Sequence, residues 1–225
     1  MDLKYKINGI PDKAFYVPDF ITEEEEENIL NNVYSSPKPK WTNLSNRRLQ
    51  NWGGIPHLKG MIPEDIPVWL DKVLSKIKET NAFPKEKQPN HVLVNEYLPN
   101  QGIMRHLDGP IFTPVISTIS CGSHTVLNFH PPLDKNEDCS KSESIAMSIL
   151  LERRSLVVIA EDLYHLYPHS ICEKSEDVIH SDKIANLVLC SNNYKENDVL
   201  KRNTRVSLTI RHVPNTSKFK LKLFK

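Results

Sequence analysis

The order of hydrophobic and polar residues changes character near residue 88. Before that point, Ile29, Leu30 and Val33 recur at helical spacing, and Thr22 can begin their helix as the first residue of a capping box. Residues 14–21 predict a short strand that leads into this helix. Apolar residues at the same spacing predict a second helix: Trp69, Leu70, Val73, Leu74 and Ile77.

The segment between these helices lacks helical spacing and is rich in proline, glycine and basic residues. Residues 37–41 contain two prolines, which end the first helix. Residues 46–54 are polar, basic and aromatic and include two glycines, so they predict an exposed loop or a hairpin.

After residue 88, short β-like runs follow one another, separated by Pro, Gly, Asn and Asp. The runs are His91–Tyr97, Ile103–Leu107, Pro114–Ser120, Thr125–Phe129, Ile145–Leu150, Leu156–Ala160, Leu163–Ile171, Ile184–Cys190 and Thr204–Val213. So many short strands predict an all-β sandwich or barrel behind an N-terminal helical layer. The polar segments 134–144, 172–182 and 192–203 predict loops.

Composition narrows the class of protein. The chain has 225 residues, 39% of them hydrophobic and 25% charged, which indicates a globular protein. The net charge of +1 excludes a strongly basic nucleic-acid coat and an acidic chaperone, but it allows a local basic patch. No apolar run is long enough to span a bilayer, so we expect no membrane association. The chain starts without a signal-peptide pattern, and its four cysteines form no C-x-x-C pair, so we expect reduced thiols and a location in the cytoplasm and nucleus.

The pattern His-x-Asp suggests a metal site, and it occurs at His106–Asp108 and at His180–Asp182. Side chains two apart on a strand share a face, so His106 and Asp108 could chelate one ion. They would supply two arms of the 2-His-1-carboxylate triad that holds Fe(II) and leaves positions open for O₂ and a co-substrate. The second His-x-Asp pattern, at His180–Asp182, lies in a polar stretch, and His212 is the only histidine that follows it. The third arm must be a later histidine, and the candidates are His165, His169, His180 and His212. His169 is favoured because it follows a strand and a turn that would return the chain to the site.

Residues 204–211 alternate strictly between polar and apolar. Arg205, Ser207, Thr209 and Arg211 share one face of the strand, and the apolar residues between them share the other. A buried guanidinium needs an anionic partner, and a dicarboxylate such as 2-oxoglutarate would supply one. The alternative is an exposed face with two solvated arginines.

The combined order of these residues resembles the AlkB family of Fe(II)/2-oxoglutarate-dependent dioxygenases. The residues that carry the resemblance are Asn95, Tyr97, His106, Asp108, His169, Arg205 and Arg211. Further stretches, at 37–42, 49–54 and 122–127, are similar to one animal branch of that family. The resemblance extends from about residue 15 to 213.

The resemblance implies a fold, a set of co-substrates and a set of ligands. The fold would be mainly β with N-terminal helices, a double-stranded β-helix or jelly roll within one domain over residues 1–225. A helical and lid layer would occupy about 15–88, the jelly-roll core 89–213 and a basic tail 214–225. Fe(II) would lie on His106, Asp108 and His169, with 2-oxoglutarate and O₂ as co-substrates. The residues expected to hold 2-oxoglutarate are Asn95, Tyr97, Arg205, Ser207 and Arg211.

The resemblance also narrows the class of substrate. Family members oxidise methylated nucleic-acid bases or protein side chains, and we expect a nucleic-acid base in preference to a protein. Trp41 and Trp52 could stack on a base that is flipped or single-stranded, and Arg47 and Arg48 could contact phosphates. The polar 172–203 segment would be an idle loop or a lid.

Two other classes of protein remain open. A jelly roll with a closed mouth could bind nucleic acid or protein without turnover. A zinc hydrolase on the same ligands is disfavoured, because no Asp or Glu base is evident beside the triad.

Overall fold

The computed structural model describes residues 1–10, 13–132 and 144–217. The predicted 134–144 loop, apart from its last residue, and the basic tail from residue 218 onward lie outside the described residues.

Three α-helices lie within the described ranges: α1 (Glu23–Ser35), α2 (Val68–Glu79) and the short α3 (Asp162–His165). The predicted capping box begins α1. The Thr22 hydroxyl accepts a hydrogen bond from the Glu25 backbone N–H (3.1 Å), and the Glu25 carboxylate accepts one from the Thr22 N–H (2.8 Å). These two hydrogen bonds pair backbone N–H groups that have no partner within the helix, and they fix where the helix begins.

The strands are short, as the sequence predicts. They are β1 (Ala14–Val17), β2 (Thr42–Leu44), β3 (Arg47–Trp52), β4 (His91–Tyr97), β5 (Ile103–His106), β6 (Val115–Cys121), β7 (Thr125–Phe129), β8 (Met147–Leu151), β9 (Leu156–Ala160), β10 (His169–Ile171), β11 (Glu176–Val178), β12 (Val199–Lys201) and β13 (Arg205–Arg211). The basic and aromatic segment between α1 and α2 is therefore the β2–β3 hairpin.

Two antiparallel sheets face each other. The larger has the strand order β1-β9-β6-β13-β4-β3-β2, and the smaller has the order β5-β10-β7-β8. One hydrophobic core lies between the sheets, and a second lies between the outer face of the larger sheet and the two long helices. The predicted mainly β jelly roll with N-terminal helices is confirmed.

Two predicted strands are wrong. Residues 163–171 form α3 and then β10, with Pro168 between them, because Pro168 interrupts regular pairing. Residues 184–190 contain a 3-10 turn at Leu187–Leu189. The apolar side chains of this segment are divided between two cores. Leu187 packs against the small core that includes Leu150 and Ile179, and Leu189 packs against the core between the sheets.

The two polar segments predicted as loops at 172–182 and 192–203 pair with each other. They contribute β11 and β12, which form a two-stranded ribbon. Arg202 and Asp177 form a bidentate ion pair inside it, with both N–O distances 2.7 Å. No residue from 172 to 203 lines the cavity between the two main sheets.

Candidate active site

A cavity of about 270 Å³ lies between the two main sheets. Its polar wall contains all eight side chains that the sequence predicts to bind metal or co-substrate: Asn95, Tyr97, His106, Asp108, His169, Arg205, Ser207 and Arg211. Apolar side chains from both sheets, such as Leu127 and Ile159, form the rest of the wall. The cavity therefore combines a polar cluster with a low-dielectric surround.

Strand β13 supplies four of the polar side chains because of its alternation. Arg205, Ser207, Thr209 and Arg211 line the cavity, and Val206, Leu208 and Ile210 point into the core beneath the helices. Arg205 and Arg211 line the same small cavity, so both could contact one bound ligand.

The backbone pairing of β5 with β10 brings the first two imidazoles together. His106 is the register partner of His169, and their ring centroids lie 4.4 Å apart. Nε2 of His169 lies 3.5 Å from Oδ2 of Asp108. Nδ1 of His106 is 2.8 Å from the Met104 carbonyl oxygen. A carbonyl only accepts, so Nδ1 carries the proton and Nε2 is the nitrogen with a free lone pair.

The other candidate histidines lie elsewhere. His165 is exposed, His180 contacts Glu196, and His212 donates from Nδ1 to the Gln88 carbonyl. None of the three lines the cavity.

The charge states of this cluster suit a metal. Burial lowers the pKa of His169 to about 4, so its imidazole is neutral at neutral pH. Burial by itself would raise the pKa of Asp108, but Arg211 and the two imidazoles outweigh it and hold that pKa below its ordinary value. Two imidazoles beside a carboxylate are the donor set that Fe(II) takes in a facial triad.

Within the described ranges, no three His, Cys, Asp or Glu side chains stand in an arrangement that could hold a metal ion as they are. At this cluster, Oδ1 of Asp108 accepts a hydrogen bond from Arg211, and the pair is almost fully buried. The type of ligand, the closeness of the three side chains and the charge of Asp108 thus fit a metal ion, and Arg211 is a hydrogen-bond donor to one oxygen of that carboxylate.

Arg211 is held on its other side by an aromatic stack. Its guanidinium lies 4.6 Å from the centre of the Phe112 ring, and Phe112 in turn stacks on His91 at 6.0 Å. Nε2 of His91 contacts Asn51 at 3.2 Å. Sequence patterns gave no sign of this support, because it joins residues from β3, β4 and a loop.

Arg205 is the most informative side chain of the cavity. Only 4% of it is exposed, and burial lowers its pKa to about 10. Within the described residues it pairs with no carboxylate. Its hydrogen bond goes to the Ser120 hydroxyl at 2.8 Å, and its Nε has no partner. A buried, uncompensated guanidinium is costly unless an anion binds there. Arg205 therefore fits the carboxylate of 2-oxoglutarate.

The four predicted substrate contacts are placed differently. Only Arg47 lines the cavity, where its Nε donates to Oδ1 of Asn95 at 3.2 Å. Arg48 forms a two-pronged ion pair with Glu96 and lies 4.0 Å from the ring centre of Trp41.

Trp52 lies against the second helix and not in the cavity. Its ring makes an edge contact with Trp69 at 5.7 Å, and Lys40 lies 4.3 Å from the centre of its ring. Its Nε1 donates to the Gln50 side chain at 3.0 Å. In this arrangement Trp52 serves the hairpin's packing.

Comparison with known proteins identifies the family. Residues 13–211 match the family model of the 2OG-Fe(II) oxygenase superfamily. The chain belongs to the 2OG-Fe(II) oxygenase superfamily. Within it the chain is an AlkB-type oxygenase, since it is 48% identical to the "Probable RNA/DNA demethylase ALKBH6" of Danio rerio. That alignment covers 94% of this chain and 90% of the relative.

Solved structures support the fold of the oxygenase. The structure of OsALKBH1 superimposes with a TM-score of 0.58 at 12% identity and covers 90% of this chain and 98% of its own. A prolyl-4-hydroxylase from Pseudomonas putida superimposes with a TM-score of 0.50 at 10% identity, over 91% and 92% of the two chains. None of the helices in the described ranges of this oxygenase has the length and apolar character that a membrane span requires.

Proposed function

We propose that this oxygenase uses Fe(II), 2-oxoglutarate and O₂ to remove N-methyl groups from nucleic-acid bases, and that it does so in the cytoplasm and nucleus. The observation that carries the proposal is the buried Arg205, which lacks an anionic partner in the same cavity that holds His106, Asp108 and His169. One cavity of about 270 Å³ thus contains both an unpaired cation and a set of metal donors. This combination suits a small dicarboxylate bound beside a metal ion.

Each polar side chain then has a distinct task. His106, Asp108 and His169 would hold the metal, and Arg205 with Ser207 would bind one carboxylate of 2-oxoglutarate. Asn95, Tyr97 and Arg211 would orient the remainder of that molecule. When bound, Fe(II) and 2-oxoglutarate supply the chemistry that oxidises a C–H bond with O₂.

The apolar wall of the cavity has a separate role. It excludes water from the site and strengthens the charged contacts there. Hydroxylation of an N-methyl carbon gives a hemiaminal, which breaks down to formaldehyde and the demethylated nitrogen. No protein acid or base is required for that breakdown.

The substrate class rests on two further observations. The relative from Danio rerio carries the name of an RNA/DNA demethylase. Arg47 reaches the cavity, and no carboxylate within the described residues pairs with it, so a cation is available for a phosphate.

The first test is spectroscopic and needs no substrate. Fe(II) and 2-oxoglutarate are added to the purified protein without oxygen, and the visible charge-transfer band is recorded. We expect the band in the wild type and in His180→Ala, and its loss in His169→Ala. A folded wild-type protein without the band, or a band that survives His169→Ala, would overturn the assignment of the site.

The second test addresses the substrate. Methylated RNA and DNA oligonucleotides and methylated peptides are each supplied with Fe(II), 2-oxoglutarate and O₂, and formaldehyde and succinate are measured together. We expect equimolar release with an oligonucleotide. Release with a peptide alone would assign the oxygenase to protein side chains.

A further inference from the structure

A second cavity, of about 450 Å³, adjoins the first. We call it the outer groove. The residues that matter to its chemistry are Tyr34, Asn43, Leu44, Arg47, Leu98 and Gln101. Arg47 lines both the outer groove and the candidate active site, so a single side chain connects them. Whatever lies in the outer groove is next to the reacting site.

The charge of the outer groove is positive. Glu96 is the one carboxylate among the described residues that line it, and both of its oxygens accept hydrogen bonds from Arg48, at 2.6 and 2.9 Å. That pair is neutral overall. Arg47 bonds only to the Asn95 amide oxygen, which leaves its charge uncompensated. The outer groove therefore favours an anion.

The geometry of Arg47 suits a phosphate. Its Nε is used by Asn95 at 3.2 Å, which fixes the plane of the guanidinium. Its two terminal nitrogens make no hydrogen bond in the described structure and form the prong that binds phosphate oxygens in pairs.

The other walls of the outer groove suit a nucleobase. Tyr34, Leu44 and Leu98 are each nearly half exposed there, and they offer apolar surface for a base to cover. The side-chain amides of Asn43 and Gln101 also line it. The Gln101 amide oxygen accepts the Leu98 N–H at 2.8 Å, so its NH₂ group remains to donate to a base edge.

We propose that the outer groove binds an unmodified nucleotide next to the reacting one, with its phosphate on Arg47 and its base against Leu44 and Leu98. This proposal rests on the proposed function and adds a subsite that anchors a single strand. A peptide fits less well, because an acidic side chain would use Arg47 but leave the apolar surface and the amides without partners.

The test measures binding without turnover. A fluorescein-labelled, unmodified single-stranded RNA of about twelve nucleotides is titrated with the full chain, and anisotropy is followed at several salt concentrations. The same measurement uses single-stranded DNA and an acidic peptide. The variants are Arg47→Gln, Arg47→Lys and Gln101→Glu, which adds a negative charge to the outer groove and keeps the acceptor for the Leu98 N–H. Lys85→Gln removes an exposed charge outside the outer groove and is the matched control.

We expect Arg47→Gln and Gln101→Glu each to weaken oligonucleotide binding by roughly tenfold. Arg47→Gln should also reduce the slope of log affinity against log salt by about one, whereas Arg47→Lys and Lys85→Gln should keep most of the binding. The proposal is wrong if both groove variants bind as the wild type does, if no oligonucleotide binds, or if only the peptide binds. The anaerobic charge-transfer band of each variant separates these results from a failure of the metal and 2-oxoglutarate site.

Discussion

Nη2 of Arg205 donates a hydrogen bond to Oγ of Ser120 over 2.8 Å, and both side chains are buried. A hydroxyl orients the guanidinium but does not neutralise it. The positive charge therefore remains available to a ligand in the cavity, and strand β6, which carries Ser120, sets the direction in which β13 presents it.

Ser120→Ala should weaken the binding of 2-oxoglutarate. A hydrogen bond to a charged group contributes about 1.5–3 kcal/mol, so we expect an increase in Kd of roughly tenfold or more. The measurement is anaerobic titration of the Fe(II)-loaded protein with 2-oxoglutarate. A role in positioning predicts a higher KM for 2-oxoglutarate with little change in kcat.

Ser117→Ala is the matched control for that change. Ser117 lies on the same strand and is buried, and its hydroxyl has no hydrogen-bond partner. Removing an unpartnered hydroxyl should leave the affinity for 2-oxoglutarate unchanged. Equal losses in the two variants would mean that β6 acts through packing rather than through the bond to Arg205.

Arg205→Met should distinguish the contribution of Arg205 to ligand binding from its contribution to the stability of the fold. The free protein keeps a buried guanidinium without a counter-ion, and replacing such a charge by an apolar side chain of similar length is often neutral or stabilising. We therefore expect the Tm of the ligand-free variant to equal or exceed that of the wild type. The rise in Tm that 2-oxoglutarate gives to the wild type should be absent. A large fall in the Tm of the ligand-free variant would show that Arg205 has a structural role.

Glu26 should be required to hold α1 on the β sandwich. It is buried, and its two oxygens accept hydrogen bonds from the Gly122 N–H and from Arg153, each at 2.7 Å. Glu26→Gln removes the charge and replaces one acceptor with a donor. We expect a loss of about 1–3 kcal/mol in the free energy of unfolding, measured in urea.

Glu27→Gln provides the control, because Glu27 is exposed on the same helix. Its effect should stay within about 0.5 kcal/mol. If the two variants unfold at the same urea concentration, the contacts of Glu26 do not contribute to the docking of α1.

The sequence predicts those parts of the site in which polar and apolar side chains alternate strictly along one strand. Arg205, Ser207 and Arg211 face the cavity because side chains alternate along a strand, and Asn95 and Tyr97 do so on β4 for the same reason. Short apolar runs carry less information. The run around Leu187 suits a strand as well as a turn, and in the fold it is a 3-10 turn whose side chains pack against two cores built from other elements.

Contacts between distant segments were beyond sequence reasoning. The exposed or buried state of a tryptophan depends on what lies over it. Trp41 lies against Arg48, and Trp52 against Lys40 and Trp69. For the same reason, Ser120 could not be connected with Arg205. The pairing of β6 with β13 brings them together, and nothing local to either strand indicates that pairing.

The β11–β12 ribbon should make stability depend on acid through Asp177. Burial would raise the pKa of this carboxyl, but His124 (3.3 Å) and Arg202 (2.7 Å) outweigh burial and hold the pKa below its ordinary value. A carboxyl with a lowered pKa in the folded state stabilises the fold above its unfolded pKa of about 3.9. This stabilisation is lost as the pH falls through the lower, folded-state pKa.

Asp177→Asn should therefore cost most at neutral pH, where it leaves Arg202 buried without its counter-ion. We expect a loss of about 3–5 kcal/mol in the free energy of unfolding near pH 7, measured in urea. The difference from the wild type should shrink below about pH 4, because Asp177 then takes up a proton in the unfolded chain before it does so in the folded protein. Asp182→Asn, at an exposed position of the same segment, should show neither effect. A gap between Asp177→Asn and the wild type that stays constant down to about pH 3 would show that the ion pair is not the source of the stabilisation.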